Sequence, residues 1–115
     1  MQCGIMFKQR EIVLVPIPFS DLTSSKKRPV VVISKDNYNY FNQDLLTAAI
    51  TSNLQGKEFS ILIESNDLEK GNLPLASEIR CDKIYSINKK IIIKKYGLIR
   101  KKILKEIKNK LIELI

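Results

Sequence analysis

The chain has 115 residues, 44% of them hydrophobic, with only four glycines and four prolines; this fits one globular domain with its own core and argues against a disordered chain. No apolar run approaches the ~20 residues of a membrane span, and the N-terminal MQCGIMFKQR lacks the apolar centre of a secretory signal; the expected setting is the cytoplasm, with Cys3 and Cys81 as reduced thiols to which no chemistry is assigned. The net charge of +8, from 20 Lys and Arg against 12 Asp and Glu, implies an anionic partner such as nucleic acid, a lipid surface or an acidic protein, without choosing among them.

EIVLVPIPF, residues 11–19, is apolar and rich in β-branched side chains, and predicts a first strand. Pro16 and Pro18 share a parity, so their missing N–H groups face one side and that edge cannot be paired there. SDLTSSKK is a polar loop, and PVVVIS a second strand, apolar throughout as a strand buried on both faces would be. Lys26, Lys27 and Arg28 stand where loop meets strand. Charge alone makes such a run a solvated loop end, but Pro29 biases Arg28 toward extended geometry. Arg28 is therefore expected at the first extended position after a flexible loop, with its backbone fixed and its side chain able to reach outward.

KDNYNYFNQD, residues 35–44, reads as a polar loop in which Tyr38, Tyr40 and Phe41 interleave with asparagines. DLLTAAITSN predicts a strand ending at Thr51 and Ser52, EFSILIES another, and NDLEKGNLPLAS a long connection punctuated by Gly71 and Pro74. SEIRCDKIYSI alternates imperfectly and predicts one bent strand or two short ones. Much of the basic excess lies in residues 89–110, where a solvated helix face is expected. From about residue 98, Ile99, Ile103, Ile107, Leu111 and Leu114 recur every three or four positions, with Leu104, Ile112 and Ile115 widening the stripe of an amphipathic helix.

Short strands closed by one helix predict a mainly β fold with α, a small and strongly bent barrel or sheet of SH3-like type, as a single domain over residues 1–115. Positions 28 and 51 then lie at junctions of strand and loop, where scaffold-held functional residues tend to sit.

EIVLVPIPFSDLTSSKKRPVVVIS, DLLTAAITSNL, LPLASEIRCDKIYSI and the terminal helix, in this order over about residues 10–114, resemble the MazF/PemK family of toxin endoribonucleases from bacterial toxin-antitoxin modules. The most specific pieces are the Arg-Pro pair opening the second strand and AAITS ending the third. The resemblance implies a CcdB/PemK-type barrel, a homodimer, cleavage of single-stranded RNA and inhibition by a cognate antitoxin. It implies Arg28 as the catalytic arginine and Thr51 as the threonine ending the third strand, with Ser52 beside it. The chain departs from the family where Arg10-Glu11 stands in place of the usual Gly-Asp. It departs again in the loop before Arg28, which lacks the family's acidic Gly-Ser-Glu-type segment and offers only the carboxylate of Asp21, so the general base stays open.

RNA cleavage by its own 2′-OH needs removal of that proton, stabilisation of a phosphorane and a proton for the leaving 5′ oxygen. With no histidine in the chain, a scheme with two imidazoles is excluded. No carboxylate cluster or His/Cys set has ligand spacing, so neither metal nor cofactor is expected. Charge stabilisation must then do most of the work, with the Arg28 fork gripping two phosphate oxygens. The Thr51 hydroxyl can donate to a phosphate oxygen or orient the 2′-OH, although a threonine at a strand end is also ordinary structure. Asp21, or a Lys27 depressed by Lys26 and Arg28, are the candidate bases; arginine itself is disfavoured, with a pKa above about 12.

Lys26 and Lys27 are candidate phosphate contacts. Tyr38, Tyr40 and Phe41 are candidates for stacking on splayed-out bases, or for packing. Lys83 and Tyr85, in the segment resembling the family's later RNA-facing strand, complete the candidate RNA contacts. Two other readings stand beside the nuclease: a non-enzymatic binder on the same fold, as in gyrase-directed CcdB toxins, and a degenerate toxin that binds RNA or antitoxin without cutting. The Arg-Pro and Thr-Ser pairs favour the nuclease.

Overall fold

In the computed structural model, which describes residues 6–17 and 26–115, the apolar runs become strands of one sheet. In chain order the elements are β1 (Glu11–Ile17), β2 (Lys26–Val32), α1 (Asp36–Phe41), β3 (Asp44–Thr51), β4 (Ser60–Ile63), β5 (Leu68–Lys70), β6 (Ser77–Asn88), β7 (Lys94–Ile99) and α2 (Lys101–Leu114). The sheet order is β4-β6-β3-β2-β1-β7-β5, and every neighbouring pair is antiparallel. It curls into a half-barrel with the C-terminal helix against it, as the mainly β reading expects.

The two faces of the sheet bury different residues. Ile12, Val31, Ala48, Ile50, Ile79 and Ile99 form one cluster, which Ile103 and Ile107 of α2 cover. Phe7, Val13, Val15, Val30, Val32, Leu45 and Ile87 form the other. Val30, Val31 and Val32 are all fully buried, on alternating faces, which is what an uninterrupted apolar run encodes in a central strand.

Four expectations are corrected. Lys26 and Lys27 are strand residues and not loop, because they pair with Ile17 and Pro16, and Arg28 is extended as expected, paired with Val15. Residues 36–41 are a short helix instead of a loop: Asp36 accepts from Gln9 N at 2.8 Å, and the buried Asn39 donates to Ser34 O at 2.9 Å and Phe7 O at 3.2 Å, so tertiary anchors impose it. The connection before residue 77 contains β5, and the basic run 89–110 contains β7, with helix only from Lys101. Ile112 and Ile115 do not widen the buried stripe, being 74% and 100% exposed at the end of α2.

Pro16 does not mark a sheet edge either, since β1 lies between β2 and β7. The bond from Ile93 N to Leu14 O, 2.8 Å, turns the even residues of β1 toward β7. The β7 ladder ends at Leu14↔Lys94, so Pro16 lies one pair beyond its reach. Pro18 lies outside the described residues.

Arg10, where the family resemblance expects glycine, sits at φ 84°, the left-handed region that glycine fills without strain. Its guanidinium is anchored to Ile99 O at 2.8 Å and to Glu69 at 3.0 Å, and that hydrogen bond holds the Glu69 carboxyl below its usual range. Beside it, Gly71, which follows β5, meets Gly97 of β7. A Cβ on Gly71 would stand 2.7 Å from Tyr96 O, and one on Gly97 2.7 Å from Lys70 O. This backbone contact fixes where residues 73–75 emerge.

Candidate functional site

Opposed residues in an antiparallel ladder share a face. Val30↔Ala49, Val31↔Ala48 and Val32↔Thr47 set the β2–β3 register, and the same register carried two residues further puts Arg28 across from Thr51. Arg28 is also paired with Val15, and Thr51 with Glu78. One transverse row thus reads Val15, Arg28, Thr51, Glu78 across β1, β2, β3 and β6. The next row, two residues along, reads Val13, Val30, Ala49, Arg80. Apolar side chains of the second cluster occupy the β1 side of this face, and charged ones the β6 side.

Pro29 opens the space between the two strands. Ile33 N donates to Leu46 O at 2.9 Å, so the odd residues of β2 direct their N–H groups toward β3. Pro29 has this parity and no N–H, which removes the rung it would make to Ile50; the paired ladder ends at Val30. Beyond it Arg28 is half-buried, held as a strand residue by β1 alone.

Two clefts meet at Arg28, Ile50 and Thr51. The first, about 290 Å³, is walled by Lys26, Lys27, Pro29 and Ser52 on one side and by Leu73, Pro74, Leu75, Ser77 and Tyr96 on the other. The second, about 350 Å³, adds Ala49, Asn53, Gln55, Arg80 and Lys83. Thr51 Oγ1 accepts from Asn53 N at 3.1 Å, which fixes the hydroxyl oxygen and leaves its proton to be donated elsewhere.

Arg80 is the functional candidate that sequence reasoning missed. Only 7% exposed, it donates through Nε and Nη2 to the two oxygens of Asp82, at 3.1 and 3.0 Å. The guanidinium holds the Asp82 carboxyl below its usual range. A register shift makes this possible: Ala49 faces Arg80 and Ala48 faces Ile84, so Cys81, Asp82 and Lys83 are extra residues that bulge from β6 and aim Lys83 into the second cleft. The predicted bent strand is this single bulged β6. Alternation already placed Arg80 and Asp82 on one parity; their nearness to Arg28 depends on a register that alternation does not contain. Cys81, buried beneath the bulge, has its thiol pushed up to about 11, chiefly by burial.

Arg28, Thr51, Ser52, Lys26, Lys27 and Lys83 are therefore brought together. Tyr85 is not: half-buried, it packs against the second core cluster, and its carbonyl accepts from Thr47 Oγ1 at 3.0 Å. Tyr38, Tyr40 and Phe41 lie on α1 beside the start of β3, seven residues or roughly 23 Å along the strand from Thr51. Tyr40 and Phe41 form an edge-to-face pair 4.8 Å apart, with Phe41 76% exposed. Asp21 and Cys3 lie outside the described residues. Among the described residues no three His, Cys, Asp or Glu side chains converge as a metal-holding group, and no helix is long and apolar enough to cross a membrane.

The profile of the PemK-like, MazF-like toxins of type II toxin-antitoxin systems matches residues 8–115. The chain belongs to this family. As a PemK/MazF toxin it shares its fold with the MazE-MazF complex of Deinococcus radiodurans, at 17% identity over 96% of each chain and a TM-score of 0.79. It is similar also to an endoribonuclease in complex with its cognate antitoxin from a mycobacterial species, at 13% identity over 92% of this chain and 91% of that one, TM-score 0.75. A third likeness is to the Mycobacterium tuberculosis toxin MazF-mt6, at 17% identity over 89% and 92%, TM-score 0.72. At such identities the likeness is one of fold. No curated protein sequence matches the chain.

Proposed function

We propose that this toxin is a cytoplasmic, metal-independent endoribonuclease that cleaves single-stranded RNA by attack of the 2′-OH, with Arg28 and Thr51 as its catalytic pair. The observation that carries the reading is their opposition across the rung that Pro29 removes, at the meeting point of two clefts lined by cations. Arg28 grips the scissile phosphate and stabilises the charge that develops in the transition state. Thr51 donates its hydroxyl proton to a phosphate oxygen. Arg80, held in place by Asp82, adds a second guanidinium to the same face, and Lys26, Lys27 and Lys83 follow the flanking phosphates. Ser52 lies at the cleft wall beside Thr51. Tyr38, Tyr40 and Phe41 are too distant to touch the scissile nucleotide in the same subunit, so any stacking role falls on a distal part of the strand.

For proton removal the chain offers Lys27, exposed beside Arg28 in the first cleft, and Asp21. A pH–rate profile separates them, since a carboxylate base gives its limb in the acid range and an amine base in the alkaline range. The family and the antitoxin complexes among its structural neighbours support a cognate antitoxin as protein partner; a homodimer is the working assembly that the family resemblance implies.

The test is incubation of the purified protein with a long single-stranded RNA in EDTA. Fragments ending in 2′,3′-cyclic phosphate and 5′-OH are expected. Cleavage that EDTA abolishes, giving 5′-phosphate ends, sinks the mechanism, and RNA binding without fragments replaces the nuclease by a degenerate toxin.

A further inference from the structure

Glu78 is 3% exposed, and a carboxylate so deeply buried needs partners that repay its lost hydration. It has them: one oxygen accepts from Gly56 N at 2.7 Å and the other from Gln55 N at 3.2 Å. Gly56 stands at φ +62° with nothing within 4 Å of where a Cβ would be, so glycine serves conformation there and not space. Its left-handed turn directs two successive N–H groups at one anion, as in an anion-binding nest. Glu78 is opposite Thr51 in the ladder, and Thr51 Oγ1 fixes Asn53 N at 3.1 Å. The chain leaving β3 is thus pinned at 53 and again at 55 and 56.

This clamp sits on a face where negative charge is otherwise unwelcome. Arg28, Arg80 and Lys83 all line the adjoining cleft, and a loose carboxylate among them would weaken any hold on phosphate. Directed at the loop, the charge is neutralised by N–H groups instead. What the clamp presents to the cleft are the exposed side chains of Asn53 and Gln55, amides with donors and an acceptor that match base edges, next to cations that match a backbone. The apolar wall at Leu73, Leu75 and Tyr96 in the other cleft offers shape but little hydrogen bonding.

We infer that Glu78 is a positioning residue, and that the loop it holds makes Asn53 and Gln55 the reader of one nucleobase edge beside the phosphate gripped by Arg28. The inference rests on the RNA-cleaving reading above. It names a hydrogen-bonded base subsite and leaves the bond-breaking groups as proposed.

The experiment takes cleavage-site preferences from a randomised single-stranded RNA pool, and affinities for a 2′-O-methylated strand in which an abasic nucleotide is scanned through the site. Wild-type protein should show one position where the abasic nucleotide costs about tenfold in affinity, the size of one good amide–base contact. Asn53→Ala and Gln55→Ala should flatten the preference at that position and shrink the abasic penalty to about twofold or less. Glu78→Gln turns an amide donor toward a loop N–H; it should flatten the same position, raising KM more than it lowers kcat. Gly56→Ala loosens the same loop from its other side without touching the carboxylate, and carries the test if Glu78→Gln does not fold.

Unchanged preference in Asn53→Ala and Gln55→Ala overturns the subsite. Glu78→Gln that still binds RNA but cuts no strand, abasic or intact, overturns the positioning role and makes Glu78 a catalytic group. Wild-type protein that cuts without a base-edge preference brings down this inference alone. Wild-type protein that neither binds nor cuts RNA brings down the functional reading, and the inference with it.

Discussion

The β2–β3 pair has two ends built on opposite plans. At the α1 end the main chain is fully engaged: Ile33 and Ser34 both donate to Leu46 O, at 2.9 and 3.3 Å, and the Ser34 hydroxyl accepts from Leu46 N at 3.1 Å and donates to Asn39 Oδ1. At the other end Pro29 breaks the ladder, and two clefts occupy the space between Arg28 and Thr51. The difference teaches that one residue without an N–H is enough to end a ladder and leave space between two strands where clefts form. At the closed end Ser34 and Asn39 bond to each other, whereas at the open end Arg80 and Glu78 bond to Asp82 and to the loop after β3, beside the clefts.

The largest expected effect lies at the open end. Arg28→Ala should cut cleavage by at least ~10²–10³ while the denaturation midpoint stays near wild type, because the loss falls on a preorganised phosphate contact. Arg28→Lys should recover little, an ammonium being unable to reproduce the fork. A folded variant with near-normal cleavage would remove Arg28 from the mechanism.

Asn39→Ala applies the same test to the closed end. It strips Ser34 and Phe7 of buried partners and should cost about 1–3 kcal/mol in chemical denaturation, with kcat of the folded fraction little changed. Pro29→Val attacks the contrast directly. By supplying an N–H toward Ile50 it should add roughly 0.5–1.5 kcal/mol of stability and slow cleavage about tenfold as the cleft narrows. Slower cleavage with no gain in stability would mean that something besides the missing rung holds the strands apart.

Lys26→Ala with Lys27→Ala should flatten the log–log salt dependence of RNA binding by about one to two units, at roughly 0.7 per phosphate contact on a single strand. An unchanged slope would move the RNA off the first cleft. The smallest effect concerns Asp82. Because the Arg80 guanidinium holds the Asp82 carboxyl below the usual aspartate range, the pair stabilises the fold above that range, and the contribution fades as pH falls through the lowered folded value. Asp82→Asn should make acid destabilisation below about pH 4 slightly shallower, only slightly because Asp82 is partly exposed and solvent screens the pair.

How much of this was legible beforehand follows from which interactions are local. Runs such as PVVVIS and DLLTAAIT declare strands by composition, and the spacing of Ile103, Ile107 and Leu111 declares a helix. A proline and a strand end place Arg28 and Thr51 at junctions of strand and loop, and the family resemblance is what singles them out as a pair. By contrast α1 depends on Asn39 finding Ser34 and Phe7, and β7 on β1 and β5 being ready to pair with a segment whose first residues are lysines. Arg80 and Glu78 become site residues only through the β3–β6 register and its bulge. A pairing offset of three residues leaves no trace in the periodicity of either strand. The missing N–H of Pro16 suggests an unpaired edge, whereas β1 is an inner strand and the proline lies just past the end of the β7 ladder; that depends on sheet order, which no local pattern carries.

The crossing of Gly71 and Gly97 limits how this toxin can change over evolutionary time. Each glycine is pressed against the main chain of the other strand, and no side-chain replacement makes a backbone smaller. The usual route to tolerance, a larger residue on one strand offset by a smaller one across from it, is therefore closed, and the two positions should resist substitution together without covarying. Second-site suppressors of Gly97→Ala should arise from remodelling or loss of β5 and not from position 71. Since residues 73–75 follow directly from this crossing, the wall they form can be repainted at the exposed Leu75 but not moved, Leu73 being packed against the core; the chemistry of that side is free to drift while its geometry stays fixed.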